Sequence, residues 1–81
     1  MNVRVRLFAA AKQVAGQDSV TVELPEGATV ADLRRRLADD IPQPSGLLDR
    51  VLFSVNLKYA VDDGQIPSGA EVACIPPVSG G

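Results

Sequence analysis

The sequence predicts an α+β domain in which a mixed sheet packs on one main helix. Three observations carry that expectation. Stretches of period-two alternation near both ends read as half-buried strands. One long apolar stripe at helical spacing lies between them. Proline and glycine clusters punctuate the rest. With 81 residues, the chain makes one domain with a single modest core. That domain is expected to span 1–81, with 76–81 as a flexible C-terminal Gly-Gly tail.

The elements follow in order. In "NVRVRLF" the residues Val3, Val5 and Leu7 share one face, and Arg4, Arg6 and Phe8 share the other. "AAAKQVAG" collects strong helix formers before Gly16, which predicts a short helix with a glycine C-cap. "SVTVEL" alternates again, with Val20, Val22 and Leu24 inward. An antiparallel hairpin with a helical bulge in its loop is the simplest pairing of the two strands. "PEGATVADLRRRLADDIP" is the main helix. Thr29 caps it, and Asp32 stands in the first turn, where the dipole favours an anion. Val30, Leu33, Leu37 and Ile41 form its stripe, and Pro42 and Pro44 end it. Asp39 and Asp40 oppose the dipole at the C-terminal end, so the last turn is expected to fray.

"SGLLDR" reads either as a turn of helix or as a loop whose leucines plug the core. "VLFSVNLKYAV" reads as two short strands around a turn near Asn56-Leu57-Lys58, and "EVACI" as the last strand. Two hairpins around one helix give the β-grasp, or ubiquitin-like, arrangement. The last strand is then expected beside the first, parallel to it, at the sheet centre.

Composition narrows the function. Apolar residues are 46% and charged residues 22%, so the chain folds. Two Phe, one Tyr and no Trp make the core aliphatic. A net charge of −2 argues against non-specific nucleic-acid binding, which wants a basic face. No apolar run approaches the ~20 residues of a membrane span. The N-terminal "MNVRVRLF" is a strand rather than a signal peptide. The single Cys excludes an internal disulfide, and the absence of His leaves no zinc cluster. A cytoplasmic location fits, with no metal and no bound cofactor.

The ending "EVACIPPVSGG" is the most unusual stretch. Pro76 and Pro77 cannot donate ladder hydrogen bonds, so the last strand stops there. Ser79, Gly80 and Gly81 then leave the body as a thread. Two residues without Cβ can pass a narrow channel and bring the backbone close to a reacting phosphate. The bare carboxylate of Gly81 can attack the α-phosphate of ATP and become an acyl-adenylate. A frayed terminus is the plainer reading of the dipeptide alone.

"LFAAAKQVAG", "VADLRRRLAD" and "VNLKYAVDDGQIPSGAEVACIPPVSGG" together resemble the small subunit of molybdopterin synthase, a ubiquitin-like sulfur-carrier family. The resemblance covers the whole chain, and "PPVSGG" after "GAEVA" is its most specific part. One departure is "VNLKY", where relatives often carry Gly after the Asn.

The resemblance implies a cycle. A ubiquitin-activating-like adenylyltransferase consumes ATP and adenylates Gly81. Sulfur replaces AMP, which leaves a thiocarboxylate. The charged carrier threads its tail into the large subunit of the synthase and gives sulfur to cyclic pyranopterin monophosphate in molybdenum cofactor biosynthesis. The family's synthase is a heterotetramer. This chain is then the sulfur-donor subunit, and the catalytic groups belong to the large subunit. By the family's pattern, Phe8, Tyr59 and Ile75 form an exposed apolar patch that docks partners, continued by Pro76, Pro77 and Val78. Phe8 and Ile75 also stand on the solvent side by strand parity, where an apolar residue marks a protein contact. Two alternatives stay open: a sulfur carrier for thiamine or cysteine biosynthesis, and an interaction module with an inert tail.

Two further features favour plain structural readings. Cys74 shares a face with Val72, which favours a small core hydrophobe over a persulfide carrier. Arg34, Arg35 and Arg36 read as a solvated helix face beside Asp39 and Asp40.

Overall fold

The computed structural model describes residues 1–43 and 46–77. The elements run β1 (Asn2–Leu7), α1 (Ala9–Ala15), β2 (Ser19–Glu23), α2 (Val30–Asp40), α3 (Leu47–Arg50), β3 (Leu52–Val55), β4 (Lys58–Ala60) and β5 (Val72–Ile75). They build one five-stranded sheet in the order β2-β1-β5-β3-β4. β1 pairs antiparallel with β2 and parallel with β5, and β5 pairs antiparallel with β3. The last strand therefore lies at the centre beside the first. This is the β-grasp arrangement that the order of strands and helices predicts.

Alternation along the strands decides the layers. In β1 the residues Val3, Val5 and Leu7 are buried while Asn2, Arg4 and Arg6 are exposed. The buried set faces α2, whose Val30, Leu33 and Leu37 are fully buried. Each such side chain contributes about 1.5–3 kcal/mol on leaving water, so this seam dominates the stability of the domain. Val20 is only half-buried, as expected for a strand at the sheet edge.

The start of α2 is satisfied twice over. Thr29 and Asp32 form a reciprocal capping box: Asp32 N donates to Thr29 Oγ1 at 3.2 Å, and Thr29 N donates to Asp32 Oδ2 at 2.9 Å. The next two N–H groups, of Val30 and Ala31, donate to the carbonyls of Gly64 and Asp62. The 61–66 loop thus serves as part of the helix cap. It also drops Ile66 into the core, which no periodicity marks.

The far end of α2 departs from expectation. It does not fray: the helix runs to Asp40, with Ile41 as an extended C-cap that remains buried. Arg36 Nε donates to Asp40 Oδ2 at 2.9 Å, one turn along, and this pair offsets the unfavourable dipole. Pro44 lies outside the described residues.

Arg34 is a second correction. It is not a solvated helix-face residue but half-buried. Its guanidinium donates to the carbonyls of Leu48 and Val51 at 2.7 and 2.8 Å and to Asp62 Oδ1 at 2.9 Å. It also lies 5.0 Å over the Phe53 ring. It closes the orphan carbonyls of the one-turn α3 and pins β3 at its start. Of the two readings of "SGLLDR" the helical one holds: α3 is a turn of helix rather than a loop, and it is this turn that buries Leu47 and Leu48.

Candidate functional site

The outer face of the sheet is built from the residues that alternate with the core. Ladder register sets their neighbours. Leu52 of β3 pairs with Ile75 of β5, Ser54 pairs with Ala73, and Tyr59 of β4 pairs with Ser54. On the other side Arg6 pairs with Ala73. Leu7 pairs with Cys74, and Phe8 N donates to Cys74 O at 3.3 Å, so Phe8 stands beside the end of β5. Phe8, Ile75 and Leu52 therefore form one row across three strands. That row lies at the end of the sheet from which the chain runs on to its C-terminus.

Of the residues expected here, Phe8 and Tyr59 are exposed, Phe8 at 41% and Tyr59 at 72%. Phe8 closes β1 and is the N-cap of α1, with extended backbone and no capping side chain. The turn that follows holds Ala9 at φ 50°, a left-handed conformation rare for alanine, directly beside the presented ring. Ile75 corrects the expectation of an exposed residue. It is half-buried, because it sits in the central strand with a neighbour on each side. Pro76 is a further correction. It is buried, so the described chain is still packed on the body there and first becomes exposed at Pro77. Val78, Ser79, Gly80 and Gly81 lie outside the described residues.

Two patch residues escape the sequence reading. Leu52 is 51% exposed and Val61, just past β4, is 69% exposed. A signal for Leu52 was present: in "VLFSV" the core takes Val51 and Phe53, which turns Leu52 outward. Val61 has the parity of Tyr59 and was legible in the same way. Leu57 is also exposed, but at the hairpin tip on the opposite end of the sheet.

Electrostatics around the patch are simple. Lys12 Nζ lies 2.8 Å from Asp18 Oδ1, and this hydrogen bond and charge hold the Asp18 carboxyl below its usual range. Arg6 lies 5.5 Å over the Phe8 ring. Cys74 is fully buried, and burial pushes its thiol up to about 11. A thiol so held is no thiolate at neutral pH and is closed to a sulfur donor, so the core reading of Cys74 stands. Among the described residues no group of three or more His, Cys, Asp or Glu could hold a metal ion. Among the same residues no helix is long and apolar enough to cross a membrane.

The sequence matches the ThiS family over residues 5–81. The chain belongs to the ThiS family. A protein of Dictyostelium discoideum named molybdopterin synthase sulfur carrier subunit is 42% identical over 81 residues, which cover 96% of this chain and 94% of the relative. Among solved structures, SAMP1 of Haloferax volcanii superposes with a TM-score of 0.77 at 29% identity, covering all of both chains. A putative molybdopterin converting factor subunit 1 of Pyrococcus furiosus gives 0.75 at 30% identity, covering 95% of this chain and 98% of the other. The family match reaches residue 81 and so includes the Gly80-Gly81 end.

Proposed function

We propose that this chain is the sulfur-carrier subunit of a molybdopterin synthase. The observation that supports this reading most directly is full-length similarity, at up to 42% identity, to proteins named as that subunit. The architecture agrees with it. The chain has no His, and its single Cys is buried, so neither of these two common catalytic side chains is presented to a substrate. What the sequence offers is the carboxylate of Gly81 on a side-chain-free Gly80-Gly81 end.

The chemistry then runs through Gly81. Its carboxylate oxygen attacks the α-phosphate of ATP, held by a ubiquitin-activating-like adenylyltransferase, and pyrophosphate leaves. A sulfur nucleophile next attacks the acyl carbon and AMP leaves, which yields the thiocarboxylate. The thiocarboxylate is a nucleophile at neutral pH without a base on its own chain. Docked on a large subunit in a heterotetramer, it gives its sulfur to cyclic pyranopterin monophosphate. Phe8, Tyr59, Ile75 and Leu52 form the docking patch, and Pro76 fixes the point from which Pro77 and Val78 direct the tail into the partner. Gly80 and Ser79 supply the narrow thread. The setting is the cytoplasm.

Deletion of Gly81 tests the reading. The variant should fold with an almost unchanged thermal midpoint, because the terminus adds little to the core. It should gain no sulfur by intact mass after incubation with ATP, sulfide and the activating enzyme. Sulfur transfer retained by the deletion would sink the proposal. Sulfur gained by the intact chain without transfer to the pterin precursor would favour a carrier for thiamine or cysteine biosynthesis instead.

A further inference from the structure

Arg4 and Arg6 occupy the outer positions of β1, alternating with the buried Val3, Val5 and Leu7. Both are exposed, and among the described residues neither makes an ion pair. They line a groove of about 530 Å³ together with Asp18, Ser19, Glu71 and Val72. Two carboxylates face this groove. Asp18 is already held by Lys12, and Glu71 alone does not balance two guanidinium groups. The groove is therefore cationic on a chain whose net charge is −2. Of the remaining acids, Glu23 is exposed at the end of β2, opposite Asn2, and does not line the groove. Glu26 follows β2, and the rest lie elsewhere: Asp32, Asp39 and Asp40 on α2, Asp49 on α3, and Asp62 and Asp63 in the loop that caps α2.

The cationic groove and the apolar row are continuous. Arg6 lies over the Phe8 ring, and it pairs along the ladder with Ala73, two residues before Ile75. We propose that Arg4 and Arg6 are the electrostatic half of the docking face, and that the protein seated on the apolar row presents carboxylates to them. This rests on the docking patch of the preceding section and adds the partner's chemistry to it. Guanidinium forks recognise carboxylates in a bidentate way, and exposed charges of this kind act chiefly on encounter. Two arginines on an acidic chain are too few to hold a polyanion such as nucleic acid. They suffice to orient an acidic protein surface over Phe8.

The experiment is stopped-flow association of the full chain with the large synthase subunit of the same organism, at about 50 mM and about 300 mM salt, which brackets strong and weak screening. An Arg4→Glu/Arg6→Glu variant should associate roughly tenfold more slowly at low salt, with the dissociation rate changed by less than about twofold. Its association should no longer slow as salt is added. Phe8→Ala, run in parallel, should instead speed dissociation. Circular dichroism checks folding, and Arg4→Gln/Arg6→Gln replaces the first variant, with a smaller slowing, if charge reversal unfolds the chain. Wild-type association rates in the arginine variants, alongside a weakened Phe8→Ala, overturn the electrostatic proposal alone. Slow arginine variants with an inert Phe8→Ala support it and remove the apolar patch. No association by the wild-type chain overturns both.

Discussion

The two faces of the sheet are made by the same strands and do different work. Inward, Val3, Val5, Leu7, Phe53, Val72 and Cys74 are each at most 4% exposed and pack under α2. Outward, one residue along, stand Arg4, Arg6, Leu52, Ser54, Ala73 and Ile75, with Phe8 at the end of the row. A step of one residue therefore moves a side chain from the part that holds the fold to the part that meets another protein. On the outer face Phe8, Leu52, Tyr59 and Val61 stay largely exposed, so these apolar side chains add little to the stability of the isolated chain. Their burial becomes favourable only when a partner covers them.

Charge placed on the inner seam should have the largest effect. Leu33 is fully buried on α2, and Leu33→Glu forces an unpaired carboxylate into an apolar core at a cost of several kcal/mol. For a domain this small that rivals the whole stability, about 5 kcal/mol. The variant should show no cooperative thermal transition by circular dichroism. A folded Leu33→Glu would mean that the inner seam does not carry the fold.

The same substitution on the outer face should leave the fold and remove the contact. Phe8→Glu should keep a native circular-dichroism spectrum and weaken binding to the large subunit by roughly 100-fold, about 3 kcal/mol, as expected when an aromatic anchor is replaced by a charge. An unfolded Phe8→Glu would erase the distinction between the faces at β1. A folded variant that binds like wild type would place the docking surface elsewhere and take Tyr59 and Leu52 with it.

Much of this division was legible because strand parity is a strict code. "NVRVRLF" and "EVACI" state which residues face in, and Thr29 with Asp32 states where α2 begins. What parity could not supply was context. Ile75 and Ala73 have the same parity, yet crowding in a central strand, not parity, sets how much of Ile75 water reaches. Pro76 looked like the start of a free tail because proline ends a ladder, but ending a ladder does not stop a ring from packing. Arg34 looked solvated because its neighbours are charged. Its role depends on α3 and the 61–66 loop arriving from far along the chain, and no local pattern records that. For the tail, Gly80 and Gly81 were singled out by chemistry rather than by pattern.

Cys74 offers a finer test of the inner face. Burial raises its thiol from near 9 to about 11, so the folded state holds that proton more tightly than the unfolded chain does. Stability from the neutral thiol is complete below about pH 9 and is lost as the pH rises through about 11. The loss should be on the order of 2 kcal/mol. It is read as the difference between the wild-type and Cys74→Ala stability curves in urea between those pH values. Parallel curves would mean that the thiol reaches water and that the inner face is looser than its packing implies.

The smallest expected effect lies at the β3–β4 tip, which belongs to neither face. Val55 and Lys58 pair directly, so Asn56 and Leu57 make a two-residue turn. Both have positive φ, 51° and 70°, as a type I′ hairpin requires. A leucine thus occupies the second position of the turn, where glycine is the usual choice. The register is held from outside as well: Asn56 N donates to Glu71 O at 2.8 Å, and Glu71 N donates to Asn56 Oδ1 at 3.0 Å. Asparagine tolerates the left-handed region, but leucine pays about 1 kcal/mol for it. At 85% exposure Leu57 recovers almost nothing by packing in the isolated chain. Leu57→Gly should therefore raise stability by several tenths of a kcal/mol, the relief of strain exceeding the added entropy of the unfolded chain. Because the tip lies at the end of the sheet opposite Phe8 and Ile75, large-subunit binding should not change. Denaturant midpoints and the same binding assay decide it. A stabilised variant with unaltered affinity confines the contact to the outer face near the tail, whereas a loss of affinity would extend that face around the edge to the hairpin tip.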